Sequence, residues 1–314
     1  MPHTLLLTIL GCGILLALTF RWQRLKGTTL IAPWYWSLIA IWSIIAIEWL
    51  PFILTDRLWA SGSTSLRYFA AITTLCPIVS LLGAKRPQHH AWQWIVLSLW
   101  VILAMPAART LFFSHATLHI GILWSWFLLI LVGMTVVNYL PTRYWPVGLL
   151  VGTAQCCLLA NELPGVRFLS ALLTPHRSDE PIRPYFGSTI TALALLFAAA
   201  ILVQWISRER NRPKPDCVEP LDLLWRDFRN SYGFFWGLRV ADRFNGLVES
   251  QNCTLRLRWN GFVPIAAEPN ELSGQTPPKI AASMEQTFVR LLTRFVSTGW
   301  INKRKAEYAE KGHC

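Results

Sequence analysis

Long apolar runs separated by short polar segments fill the first two thirds of the chain, and the last third changes character. There, apolar and charged positions alternate at helix and strand spacing. The apolar runs cover residues 4–20, 33–54, 66–83, 92–113, 118–140, 145–163 and 186–206. Most approach the roughly 20 apolar residues needed to cross a hydrocarbon core of about 30 Å. The pattern predicts an all-α polytopic membrane bundle of about seven transmembrane helices over residues 1–206. The first run begins "MPHTLLLTILGCG", without a basic leader, and Arg21, Arg24 and Lys26 follow it. That order predicts a retained span with its N-terminus outside, not a cleaved signal peptide.

Past residue 206 the patterning predicts a linker (207–219), a small cytoplasmic α+β module (220–301) and a charged tail (302–314). In "LLWRDFRNSYGFFWGLRVADRFN", Leu221, Leu224, Trp225, Phe228, Tyr232 and Phe235 form one helical stripe, with Trp236 at its edge. Asp222 and Arg226 are spaced for an i, i+4 pair. After Gly233 the apolar positions move to another face, which predicts a bend or break near the glycines. Leu255, Leu257 and Trp259 then alternate with arginines in a strand pattern, and Asn260–Gly261 is a type I′ hairpin signal. Ser283 with Gln286 resembles a capping box for a last helix carrying Met284, Phe288, Leu291, Leu292 and Phe295, with Gly299 as its stop. The result is a helix–β-hairpin–helix module. Its stripe reads first as the module's core, and Trp225, Phe228, Tyr232, Phe235 and Trp236 are the candidate contacts for docking to a membrane or partner.

Charge orients this arrangement. Only 15% of the 314 residues are charged, against about 25% in ordinary soluble domains. Residues 1–206 hold five acids and twelve Lys or Arg. An outside N-terminus places ten basic residues of the spans and the linker in the cytoplasm and six outside, with every lysine inside. Trp22, Trp34, Trp36, Trp92, Trp94, Trp145 and Trp205 then cluster at the inner interface, where indoles are favoured. The localisation expected is a bacterial-type inner (plasma) membrane with a cytoplasmic C-terminus. The net charge of +12 follows from this topology and from basic flanks such as "NKRKAEYAEK", and no groove-reading motif accompanies it. Nucleic acid is therefore not an expected partner; the lipid bilayer is.

Candidate chemistry lies mainly at the outer end. Glu48, in "IWSIIAIEWLPFIL", is the most deeply placed acid, and a charge near the bilayer centre costs roughly 2.5–3.5 kcal/mol on insertion scales. Such a group needs a partner, and Pro51 loosens the helix one turn later. Arg67, Arg109, Glu162 and Arg167 fall at similar depth, and His115 and His119 share one helical face. Glu48, His115, His119 and Glu162 are the candidate catalytic groups, with Arg67, Arg109 and Arg167 as candidate anion or substrate contacts. The bland alternatives are structural ion pairs, interfacial histidines and snorkelling arginines. Asn138 and Gln155 read as interhelical hydrogen-bond partners.

The seven cysteines show no CxxC spacing and none falls in an outer loop, so neither a disulfide framework nor a metal site is expected. There is no Walker A sequence, G-x-S-x-G elbow, HExxH or dinucleotide fingerprint, and no cofactor is expected. The sequence therefore favours an interaction or assembly component of a membrane complex, acting on a protein partner through its cytoplasmic module. The alternatives are an enzyme acting on a lipid or lipid-linked substrate at the outer face, and a small-molecule transporter.

Overall fold

The computed structural model describes residues 2–53, 56–86, 88–112, 118, 120–164, 185–209, 220–249, 255–264 and 278–310. In chain order the elements are α1 (Pro2–Thr19), α2 (Trp22–Leu25), α3 (Ile31–Trp49), a 3-10 turn (Leu50–Phe52), α4 (Asp56–Thr73) and α5 (Cys76–Leu82). They continue with α6 (His89–Phe112), α7 (Ile122–Tyr139), α8 (Trp145–Leu158), α9 (Tyr185–Glu209) and α10 (Pro220–Glu249). The chain closes with β1 (Leu255–Arg258), β2 (Gly261–Pro264), α11 (Pro278–Leu292) and α12 (Thr298–Glu310).

Among the described residues, five segments are long and apolar enough to cross a membrane: Ile31–Phe52, Gly62–Leu82, His89–Phe112, Ile122–Tyr139 and Thr189–Arg208. Their outward faces show Trp42, Met105, Ile122, Leu123 and Ile201, each more than half exposed. Water would disfavour such a surface, whereas lipid solvates it. The remaining expected spans correspond to shorter apolar helices, His3–Thr19 and Trp145–Leu158. At 1.5 Å per residue the 14 residues of α8 reach only about 21 Å, short of a full hydrocarbon core.

Two local details depart from the sequence reading. The third expected span is broken: α4 ends at Thr73 and α5 starts at Cys76, with Pro77 in its first turn. Gln155 Nε2 donates to Thr74 O at 2.8 Å, so a side chain of α8 partners a carbonyl at the break. Elsewhere, α8 lies close to α7 because Gly148 and Gly152 face it. A methyl at Gly148 would stand 3.0 Å from the Cβ of Tyr139, and one at Gly152 would collide with Val136. This is the small-xxx-small spacing that lets membrane helices approach without a hydrophobic driving force.

Helix α9 packs between α8 and α1, α1 against α3, and α3 against α4 and α5; α6 lies beside α4 and α5. One apolar core runs from Tyr68 and Ile72 through Leu103 and Leu128 into Trp225, Phe228, Phe244 and Phe288. A second joins Leu7 and Ile14 of α1 to Ile41, Ile44 and Ile45 of α3 and Leu193 of α9. The C-terminal module is thus continuous with one end of the bundle. It does not hang from it on a tether.

Within the module, α10 carries the predicted aromatic stripe and kinks at Gly233, which has φ +79°. The hairpin forms one residue earlier than the Asn260–Gly261 signal implied. Arg258 pairs with Gly261, so Trp259 and Asn260 make the turn and Gly261 opens β2 at φ +144°. Asp222 decides this register: its Oδ1 accepts Phe262 N–H at 2.7 Å instead of serving the expected pair with Arg226. A side chain on Gly261 would collide with that carboxylate. Helix α11 starts at Pro278, so the expected cap at Ser283 falls inside it. The expected charged tail is helical as far as Glu310. Gly299 does not stop a helix; it lies in the first turn of α12. Ile301 and Tyr308, seven residues apart, are the buried positions of α12, and Tyr308 Oη donates to Asp227 Oδ2 at 2.6 Å. Arg304 lies 3.7 Å from the same carboxylate, which ties α12 to α10.

Candidate functional site

The end of the bundle far from the module contains the expected charged pair. Helix α3 stops at Trp49 and the 3-10 turn around Pro51 follows, so Glu48 sits in the last helical turn. It is 4% exposed, and its Oε1 lies 3.4 Å from Arg67 Nε of α4. Two oppositely charged groups at this depth satisfy one another, and separating them is expensive. Nearby, Ser65 and Thr110 share a hydrogen bond between α4 and α6, and Tyr68 Oη donates to Leu103 O at 3.1 Å.

Of the other candidates in this group, two are among the described residues. Arg109, near the end of α6, is exposed, and Glu162, just beyond α8, is half-buried. His115, His119 and Arg167 lie outside the described residues. Among the described residues no group of three or more His, Cys, Asp or Glu is placed to hold a metal ion. Between α1, α3, α5, α7, α8 and α9 lies a cavity of 230 Å³. Its wall is apolar except for Ser37, Thr74, Thr135 and Gln155. It suits an alkyl chain better than a polar solute.

The module end has far more directed polar contacts. Asn138, at the end of α7, sits against Gly233. Its Nδ2 donates to Tyr232 O at 3.5 Å, and its Oδ1 accepts Phe235 N–H at 3.3 Å. One amide thereby partners backbone groups on both sides of the kink, where the helical ladder fails. A Cβ on Gly233 would overlap that amide. Asn138 was legible as a hydrogen-bond partner; that its partner is the backbone of the module was not.

Tyr232 is fully buried beneath this kink. Its Oη donates to Phe295 O at 3.0 Å and lies 3.1 Å from Thr29 Oγ1, which donates to Ala84 O at 2.5 Å. Burial pushes the Tyr232 phenol well above its usual pKa, so it stays a neutral donor. Trp236 Nε1 donates to Leu81 O at 2.8 Å, and Trp259 Nε1 donates to Pro141 O at 3.0 Å. The short loop before α3 joins the module as an extra strand would. Thr28 bridges Val296, Thr29 N–H donates to Phe295 O at 3.0 Å, and Ser297 N–H donates to Gly27 O at 2.7 Å. Arg86 N–H donates to Arg294 O at 2.7 Å.

These contacts decide the fate of the aromatic candidates. Trp225, Phe228, Tyr232 and Trp236 are buried in the shared core, and Phe235 is half-buried beside Asn138. Their stacked and edge-on contacts with one another and with Phe288 and Phe295 make them core. The exposed surface lies instead on the second half of α10, where Leu238 is 41% exposed. Leu238, Ala241, Asn245, Trp259 and Val263 line a groove of 670 Å³ between α10 and the hairpin, with Arg256, Arg258 and one carboxylate, Asp242, on its wall. Arg229 donates to Trp259 O and lies over the Trp259 ring, 5.1 Å from its centroid. Burial and the nearby Arg226 charge lower the Arg229 pKa. The sequence signal for this groove was the shift of apolar face after Gly233 together with the exposed arginines of β1.

The interfacial tryptophans divide by role. Trp94, Trp145 and Trp205 are more than half exposed, as membrane-interface indoles are. Trp34, Trp36 and Trp92 instead donate to Leu18 O, Gln93 Oε1 and Val79 O. No protein-family model, no curated protein and no solved structure matches this chain.

Proposed function

We propose that the chain is a seven-span, multi-pass membrane protein with an outside N-terminus, and that its cytoplasmic C-terminal module is the interaction surface of a membrane assembly. The observation that carries this reading is the groove between α10 and the hairpin. It presents Leu238, Val263 and Trp259 beside the exposed Arg256 and Arg258, on a module fixed to the bundle by Asn138, Tyr232 and Trp236. An apolar floor with a cationic wall suits an amphipathic segment bearing acidic residues. The rigid seam holds that groove at a set height and angle to the membrane, which favours assembly over a freely swinging tail. The ion pair between Glu48 and Arg67 supports a structural role for the outward group, so the enzymatic reading comes second.

The test is a photo-crosslinking residue placed at Leu238 in the full-length protein in its native membrane, with the exposed Asn302 as the control position. A discrete adduct at position 238 is expected, absent at position 302 and lost in the Arg256→Glu/Arg258→Glu variant. Mass spectrometry of the crosslinked peptide should return an acidic segment. A lipid-only adduct, or an adduct indifferent to the charge reversal, refutes the assembly reading.

A further inference from the structure

A second cleft along α10, which shares Asp242 with the hairpin groove, has an unusual charge balance. Its volume is 410 Å³, within the range of about 300–1,000 Å³ typical of small-molecule sites. Four cations line it from three separate parts of the chain: Lys85 from the loop after α5, Arg239 and Arg243 from α10, and Arg294 from the turn after α11. Asp242 is the single carboxylate on the wall, and the floor is Val240, Leu291 and Phe295.

Chance does not readily gather these groups. Among the described residues none of the four cations makes an ion pair, although carboxylates elsewhere in the module are paired with Arg304 and Lys305. Like charges brought together repel, so lining one cleft with four of them opposes folding unless something compensates. Burial, and then the charges of Arg243 and Arg294, depress the Lys85 pKa, so the crowding acts on the lysine. The backbone holds the crowd together: Arg86 N–H donates to Arg294 O, which clamps the loop carrying Lys85 to the turn carrying Arg294. Arg239 is further fixed over the Trp236 ring, 5.2 Å from its centroid.

We propose that this cleft is a binding site for a phosphate-bearing anion. Guanidinium groups offer paired donors that match phosphate oxygens, and Lys85 adds a compact charge at the back. Two sources share this chemistry: the headgroup of an anionic phospholipid and a soluble phosphate compound. The cleft opens beside the start of α6, where Trp94 and Ile95 are at least half exposed on the apolar face. That places it at headgroup depth, the level at which basic pockets between membrane helices take anionic lipids. This site is independent of the assembly reading, because its four cations are distinct from Arg256 and Arg258.

The experiment uses the full-length protein in neutral detergent and measures its thermal unfolding. The probes are dioctanoyl phosphatidylglycerol, dioctanoyl phosphatidylcholine and inorganic pyrophosphate. Saturable stabilisation by phosphatidylglycerol and none by phosphatidylcholine is expected, weakening as ionic strength rises. Arg243→Gln/Arg294→Gln should weaken the apparent affinity about tenfold or more, at one decade per 1.4 kcal/mol of lost charge-assisted bonding. Arg290→Gln/Lys303→Gln removes the same charge at exposed positions elsewhere on the module and should respond like the parent protein. Lys85→Met provides a second lesion in the cleft should the double variant fold poorly. Stabilisation by pyrophosphate with the same variant pattern assigns the site to soluble phosphate compounds; stabilisation by the lipid alone assigns it to headgroups. If neither anion stabilises the parent saturably, or both cleft variants respond as the parent does, the proposal fails.

Discussion

The two ends of the bundle solve the same problem, a polar group beside an apolar interior, in opposite ways. At the far end, two opposite charges, Glu48 and Arg67, neutralise one another. At the module end, the seam between module and bundle is held by neutral groups: Asn138, Tyr232, Thr29 and the indoles of Trp236 and Trp259, each directed at a backbone group. A charge pair stabilises through its partner alone and punishes any change that leaves one member behind. A network of neutral donors divides the same task among many bonds, each worth about 0.5–1.5 kcal/mol net. The far end is therefore brittle at one point, and the module end is tolerant at any single point yet geometrically strict.

The sharpest way to break this contrast is to remove one charge. Arg67→Ala should cost about 3–5 kcal/mol, because Glu48 is left buried without its partner. Reversible unfolding in mixed micelles measures it. Arg67→Leu/Glu48→Leu should recover most of the loss, and a double variant as unstable as the single one would show that the pair is not the unit. Gly233→Ala is expected to come next, at about 2–4 kcal/mol. It combines a positive-φ, extended conformation (φ +79°, ψ −167°) essentially confined to glycine, costing about 1–3 kcal/mol, with displacement of the Asn138 amide, which strands the Tyr232 carbonyl and the Phe235 N–H. Asn138→Ala should reproduce the second part without the first.

Tyr232→Phe is a finer probe of the network. Loss of the hydroxyl should cost about 1–2 kcal/mol and raise the rate of limited proteolysis in the module more than in the bundle. Equal acceleration in both regions would mean that the seam does not separate their stabilities. The smallest effect belongs to Arg256→Gln, an exposed strand residue, which should stay within about 0.5 kcal/mol of the parent while weakening the crosslink at position 238. A large loss of stability there would make Arg256 part of the hairpin's structure and not of its contact surface.

Some elements were legible in the chain because they rest on local periodicity. The apolar runs, the aromatic stripe of α10, the break near Gly233 and the hairpin between Leu255 and Pro264 all follow from spacing along one segment. The Glu48–Arg67 pair was legible for a different reason: a deep acid needs a cation, and Arg67 falls at the matching depth. Other features were missed although a local sign existed. Pro77 marked the break before α5, and Gly148-x-x-x-Gly152 marked the close approach to α7. Helix α12 was hidden because its buried residues, Ile301 and Tyr308, are few and its ion pairs dominate the composition.

By itself the sequence determined that the chain has an apolar part suited to a membrane and a polar part that cannot enter one, because hydropathy and charge act residue by residue. Only the tertiary structure decided that the two share a core, since that depends on which backbone groups are left for Asn138, Tyr232 and Trp236 to satisfy. It also moved the open surface away from the aromatic stripe. Once Trp225, Phe228 and Tyr232 are enclosed by α11 and the bundle end, the positions left to meet a partner or an anion are those on the later half of α10 and its neighbours. Burial is a property of the whole packing, and no window along the chain contains it.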